Sequence, residues 1–237
     1  MGNSEPFQKT VTVLSELLEE GTFRISTEGL LIREFDNARI CMIEAKIEPY
    51  QFEEINVPET VTKISLSFDN LKKYLGLIDK KEAINLRDQR DTLEISTDKK
   101  TVQIPKIMDW SSETAPIPEI SYEGSAQVQV GEFVSALKDF LKIGENVRIK
   151  TGEGHIELFS GDGLSGTLQE KVESLQTSGF ADSIYNVQYL LSALKGIDKN
   201  ETLYLDWGKD LPIMMGYTIY DNPAVKIRFW LAPRIED

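Results

Sequence analysis

Apolar positions along this chain follow two periods in turn. Over residues 7–20, Phe7, Val11, Leu14 and Leu18 recur every three or four positions, which predicts a helix closed by Gly21. TFRIS, LLIREF and ARICMIEAKI then alternate in twos and read as strands. Residues 68–78 return to the helical period with Phe68, Leu71, Leu75 and Ile78, and AINLRD, TLEIST and TVQIPKI return to strand. Between 108 and 121 the periodicity lapses: MDWSSETAPIPEIS holds two Pro and several Ser and Thr, and reads as an exposed connector too long for a simple turn. Beyond it SAQVQV predicts a strand. A helix follows over 131–143, with Phe133, Leu137 and Phe140 inward and Gly144 as its stop. NVRIKT and HIELFS are strands. A fourth helix is expected over 183–195, with Ile184, Val187, Leu190, Leu191 and Leu194 inward and Gly196 closing it. TLYLDW, IMMGYTI and AVKIRFWL finish the chain as strands.

Both halves therefore read helix, strands, helix, strands. FRISTEGLLIRE in the first half echoes VRIKTGEGHIEL in the second. Each follows a helix closed by Gly, and each places a Gly-containing turn between two alternating strands. The pattern implies an internal duplication with the connector as its joint.

The outward faces of the four expected helices share a composition. The fourth offers Gln188, Ser192 and Lys195, with Lys199 beyond Gly196; the third offers Ser135, Lys138 and Lys142. The second has Lys72, Lys73 and Lys80, and the first Gln8, Lys9, Thr12 and Ser15. Taken singly, each is an ordinary solvated face. Repeated four times, sparse Lys among small polar residues suits loose contact with phosphates and no reading of bases.

Composition narrows the chemistry. The net charge of −13 argues for an acidic exterior, although binding depends on where the charge sits. One Cys (Cys41) and one His (His155) exclude an internal disulfide and the usual Cys/His zinc sites; Cys41, inside ICMI, reads as a buried small hydrophobe. Cysteine poverty fits a reducing compartment. No apolar run approaches a membrane span, the start lacks the order of a signal peptide, and Pro6 sits where a myristoylation signal needs Ser or Thr. GDGLSG over 161–166 matches a dinucleotide fingerprint, but TLQEKVES follows it in place of a helix, so it reads as a Gly-rich loop. His155, with Ser160, Asp162 and Ser165 nearby in sequence, sits in a hairpin turn where exposure is expected, and makes a poor catalytic base. Asp88, Asp91 and Glu94 lack a calcium-loop signature. An enzyme built on the glycine loop of 152–166 is the alternative of another class, and a nucleotide-binding assay would discriminate it.

LAPRIED at the end, GEF leading to KIGENVRI, IPE in the connector, and ISTEGL followed by FDNARI occur here in order. Together they resemble the sliding clamp family of archaea and eukaryotes, proliferating cell nuclear antigen, over nearly the whole chain. The resemblance implies an α+β fold of two topologically similar clamp domains, with antiparallel sheets outside and two helices per domain inside, assembling into a ring. Domains are expected at 1–107 and 122–237, joined by the connecting loop 108–121. The implied function is a DNA polymerase processivity factor that encircles duplex DNA without reading sequence, does no chemistry and needs no cofactor. Its partners would be DNA polymerase, DNA ligase, flap endonuclease and a clamp loader, with no membrane. By the same resemblance Lys9, Lys72, Lys73, Lys138, Lys142 and Lys195 face DNA. Arg39, Met42, Ile117, Pro212, Trp230, Ala232 and Pro233 form a pocket for partner peptides, which can pair with the tail as an added strand. Lys99, Thr101, Gln103 and Pro105 mark one edge of the subunit interface, and Ser165, Thr167, Gln169 and Lys171 the other; closure is head to tail. A trimeric ring of this chain or of sister subunits is implied, in an archaeal cytoplasm at the chromosome, or in a nucleus if eukaryotic. Two departures stand out: the first helix arrives after only MGNSEP, where clamps place a strand, and it carries Glu16, Glu19 and Glu20. A heterotrimeric or checkpoint-type clamp subunit is the alternative within the class.

Overall fold

The computed structural model describes residues 3–58, 60–108, 113–161, 166–220 and 222–235. The chain divides into two compact units. The first comprises Met1–Asn37, Ile43–Pro116 and Thr218–Ile227, and the second Ala38–Met42, Ile117–Tyr217 and Arg228–Asp237.

In the first unit, α1 (Glu5–Leu14) leads to β1 (Glu20–Ser26), β2 (Gly29–Phe35), β3 (Cys41–Ile47) and β4 (Thr62–Ser67). After them come α2 (Phe68–Leu75), β5 (Asn85–Asp88), β6 (Thr92–Ser96) and β7 (Thr101–Pro105). β3, β2, β1 and β4 are neighbours in that order, and β5-β6-β7 form a separate three-stranded sheet. α1 and α2 pack together, with Phe7, Val11, Leu14, Phe68, Leu71 and Leu75 buried. Phe23 meets Phe7 at 5.9 Å between ring centroids and Phe68 at 5.9 Å edge-on.

The second unit repeats the plan. β8 (Gly124–Gln129), α3 (Val130–Phe140), β9 (Asn146–Thr151), β10 (His155–Gly161), β11 (Thr167–Glu173), β12 (Gln176–Gly179) and β13 (Asp182–Asn186) precede α4 (Val187–Leu194). β14 (Thr202–Trp207), β15 (Ile213–Ile219) and β16 (Asn222–Leu231) end it. One sheet runs β12-β8-β14-β15-β16 and the other β11-β10-β9-β13, all antiparallel where the register is defined. Phe133, Phe140, Leu190 and Trp207 fill the core, and the Trp207 indole N–H donates to the Ile149 carbonyl at 3.2 Å. β3 and β16 each run from one unit into the other. The echoed sequences form matching hairpins, β1–β2 turning through Gly29 (φ 102°) and β9–β10 through Gly154 (φ 70°).

Four local readings change. The first helix ends at Leu14, not Glu20: the Ser15 hydroxyl bonds the Thr12 carbonyl, and the chain turns to let β1 pair with β4 from Glu20↔Ser67. Gly21 is a strand residue, not a helix stop; a Cβ there would stand 2.6 Å from the Phe68 ring. The fourth helix begins at Val187 because Asn186 caps it, accepting from the Tyr189 amide at 3.1 Å, so Ile184 lies on β13. β4, β12 and β13 are strands that the alternation does not predict.

Candidate functional site

The helix faces differ between the two units. In the second unit Lys138 and Lys195 are exposed, on α3 and at the end of α4. Lys142 is exposed two residues beyond α3, its Nζ 2.6 Å from Asp139. Between α3 and α4 lies a groove of about 560 Å³ whose wall includes Val134, Leu141 and Leu191, with Lys138, Lys195 and Lys199 among its lining. In the first unit Lys73 is exposed on α2. Lys72 is held by Glu16 at 3.2 Å, and the Lys9 ammonium lies 6.0 Å from the centre of the Tyr220 ring.

The residues expected to bind partner peptides all belong to the second unit, and the fold gives them different parts. Ile117 is 42% exposed, and Arg39 is exposed with φ 56°. Pro212, Ala232 and Pro233 are half-buried. Met42 is only 1% exposed and Trp230 6%, so neither offers more than a floor. The Arg228 guanidinium stacks over the Trp230 ring at 5.4 Å. After β16 the tail is pinned twice: the Ala232 amide donates to the Ile40 carbonyl at 3.0 Å, and the Arg234 amide donates to the Ile184 carbonyl at 2.7 Å. Ile235 beyond them is 74% exposed. The apolar ending thus belongs to the body up to Leu231 and turns outward after it. Burial pushes the neighbouring Tyr122 phenol up to about 12 and raises the Asp206 carboxyl.

Periodicity misses the anchor of the connector. In the first unit Arg33 on β2 grips Glu44 on β3, Nε to Oε2 at 2.6 Å, and its Nη1 donates to the Ala115 carbonyl at 3.0 Å. A charge inside the apolar run CMIEAKI is the available signal, because a buried carboxylate must find a partner. Residues 113–121 carry no regular structure, while 109–112 lie outside the described residues.

The two edges expected at the subunit interface are open among the described residues. β7 pairs only with β6 and exposes Thr101, Gln103 and Pro105, with Lys99 exposed in the turn before it. β11 pairs only with β10 and exposes Thr167, Gln169 and Lys171. Ser165 lies outside the described residues.

The chemical alternatives lose their geometry. Gly161 pairs with Thr167 across antiparallel strands, so a strand, not a helix, follows the glycine loop. His155 is half-buried, not exposed: its ring abuts Gly152 and lies 3.3 Å from Glu157, which its hydrogen bond holds below the usual carboxylate range. The Ser160 hydroxyl is turned away to the Asn146 carbonyl. Among the described residues no cluster of three or more His, Cys, Asp or Glu could hold a metal, and no helix is long and apolar enough to cross a membrane.

Residues 1–113 match the family model described as "Proliferating cell nuclear antigen, N-terminal domain". The chain is 28% identical over 247 residues to the DNA polymerase sliding clamp of Thermococcus gammatolerans, covering 99% of this chain and 96% of that one. The chain is thus similar to sliding clamps over nearly its whole length. The clamp of Pyrococcus horikoshii is 26% identical over 246 residues at the same coverage. The clamp fold is also that of A. fulgidus PCNA, solved with the C-terminal region of FEN-1, at TM-score 0.88, 20% identity and coverage of 99% of this chain and 97% of that one. A chain in the PCNA2–PCNA3 complex of Sulfolobus tokodaii matches at TM-score 0.83 and 21% identity, over 99% of this chain and 98% of that one.

Proposed function

We propose that this chain is a subunit of a DNA sliding clamp: three subunits close around duplex DNA and tether replication and repair enzymes to it. The observation that carries the reading is the duplicated unit. Each copy pairs two helices whose outward positions hold Lys and small polar side chains, and each has an edge strand expected at the interface, β7 or β11, paired on one side among the described residues. An open edge is a hazard unless something pairs with it. Joining β7 of one subunit to β11 of the next, head to tail, closes a ring and removes both hazards. Lys9, Lys72, Lys73, Lys138, Lys142 and Lys195 supply phosphate contacts, although Tyr220 engages Lys9, Glu16 engages Lys72 and Asp139 engages Lys142. Ile117 on the connector, Arg39, Pro212, Ala232 and Pro233, over a floor of Met42 and Trp230, take the aromatic and aliphatic side chains of peptides from polymerase, ligase, flap endonuclease and clamp loader. The domain boundary stays at the connector 108–121. The protein works inside the cell at the chromosome, in an archaeal cytoplasm.

Solution mass by light scattering is the first test: three times the 26.8 kDa subunit is expected, with stimulation of long primer extension by a family polymerase. A monomer that neither assembles nor stimulates would overturn the reading. The engaged Lys9 and Lys72 favour one second reading, a ring shared with sister subunits that contribute more charge. A monomer that assembles only on mixing with a sister clamp chain would select it.

A further inference from the structure

The outer face of the sheet β11-β10-β9-β13 sorts its side chains into rows across the strands. The registers place Gln169, Phe159, Arg148 and Ile184 side by side, and the tail extends the row, because Ile184 bridges Arg234. Residues directly opposite on antiparallel strands share a face, so from Phe159 to Arg234 the row is apolar, cation, apolar, cation. The next row is Lys171, Glu157, Lys150 and Asp182, whose ammonium groups and carboxylates alternate and cancel. On the other side Thr167, Gly161, Asn146 and Asn186 are neutral. Together the three rows carry two positive charges, both arginines, on a chain whose net charge is −13. Arg148 reaches to Asp182 at 3.6 Å, and Arg234 is exposed.

A hollow of about 520 Å³ opens over the row, with Phe159, Ile184 and Ile235 around Arg148 and Arg234. A second, of about 880 Å³, shares Arg148, Ile184, Arg234 and Ile235 and continues to Phe180 and Lys209. Phe159, Phe180 and Ile235 are exposed. Apolar side chains standing around cations on an acidic protein fit a ligand that is itself both apolar and anionic. None of these residues belongs to the expected peptide pocket. Pairing along the β11 edge lies in the plane of the sheet, so it leaves this face open. The spacing favours a peptide over a nucleic acid. Strands lie about 4.8 Å apart, so Phe159 and Ile184, like Arg148 and Arg234, are separated by roughly 9.6 Å. A segment in polyproline geometry repeats its face every third residue, about 9.3 Å. An apolar residue followed by an acid, repeated every three residues, therefore stays in step with the row. An unbroken line of phosphates would meet the carboxylates of Glu157 and Asp182, one row away at about 7 Å along the strands.

We propose that the row Phe159, Arg148, Ile184 and Arg234 is a docking site for an extended acidic segment of a partner protein. Its carboxylates sit on the two arginines and its apolar side chains on Phe159 and Ile184. The site does not rest on the clamp reading.

The probe is a capped, dye-labelled peptide Leu-Asp-Pro-Leu-Asp-Pro, its binding to the intact protein followed by fluorescence polarisation at low salt. It is expected to bind on the order of tenfold tighter than the same peptide with Asn at both Asp positions. Arg148→Gln and Arg234→Glu should each remove most of that preference. Arg234→Glu should in turn prefer a peptide in which one Asp is replaced by Lys, a reversal that a damaged fold would not produce. Equal binding of the Asp and Asn peptides, or a preference that survives both substitutions, would overturn the proposal. So would an oligothymidylate that displaces the peptide and binds more tightly through the same arginines, because the row would then hold nucleic acid. Binding seen only after Glu236→Gln with Asp237→Asn would overturn it too, because the chain's own acids would then occupy the row.

Discussion

Replacing Arg33 by Met tests whether the connector is held from within the first unit. The Arg33 side chain is 14% exposed and Glu44 3%, so the pair is shielded from water and weakly screened. Met keeps the length and apolar stem of Arg but takes the guanidinium from the Glu44 carboxylate and from the Ala115 carbonyl. Removing one partner of a buried pair costs roughly 3–5 kcal/mol. In a chain of this size that corresponds to a fall in Tm of roughly 6–20 °C. Calorimetry on the wild type, Arg33→Met and Arg33→Met/Glu44→Leu separates the contributions. The double variant should recover most of the loss, since it buries no unpaired charge. Limited proteolysis should meanwhile cut residues 113–118 faster in both variants, because both lack the bond to Ala115. A loss under about 1 kcal/mol in the single variant would refute the charge argument, and unchanged cleavage would refute the tether.

Lys138→Glu with Lys195→Glu should weaken retention on DNA at low salt, with Tm unchanged. The salt dependence of binding should flatten by about one unit of slope for each phosphate that is no longer neutralised. Deleting residues 232–237 should abolish stimulation of partner enzymes while the oligomer mass holds; it also removes the tail bonds to Ile40 and Ile184, about 1 kcal/mol each. Gly21→Ala drives a methyl into the Phe68 ring and should lower stability by about 1–3 kcal/mol, measured in urea. Burial pushes Tyr122 up to about 12 and raises Tyr185 and Tyr217 further. These phenols keep their protons in the folded state above the ordinary tyrosine value of 10, where the unfolded chain releases them, so stability should fall as pH rises beyond 10. Phenolate absorbance of the eight tyrosines should then rise in two stages, the second coinciding with unfolding.

How much of the fold is legible in the sequence depends on where one period hands over to another. The helix cores and the β1–β2 and β9–β10 hairpins follow from alternation and glycine turns, because both are local. β4 and β13 do not, since each enters a helix with no intervening turn: Ile184 on β13 and Val187 on α4 are three apart and mimic one helical stripe. The caps Ser67 and Asn186 carry the boundary, each accepting from a helix amide three residues on. Gly21 reads as a stop in any sequence, and only the Phe68 ring lying over it reveals a packing site. The helix-face lysines are identifiable as positions, but their engagement is not: Glu16 and Tyr220 lie 56 and 211 residues from Lys72 and Lys9. The proposed peptide pocket rests on tail and connector motifs, which do not say that Met42 and Trp230 are buried.

The membership of Thr218–Ile227 in the first unit sets a timetable for biosynthesis. The Glu48 amide needs the Ala224 carbonyl, and the Asn222 side chain bonds Gln51, so this unit cannot complete its sheet while the ribosome is still working through the second. More than a hundred residues separate Pro116 from Thr218, several seconds or more of synthesis at ~5–20 residues per second. During that interval β3 emerges with one side unpaired, an exposed apolar edge of the kind that chaperones bind and that aggregation exploits. A nascent chain stalled before Thr218 should therefore be protease-sensitive throughout its first half.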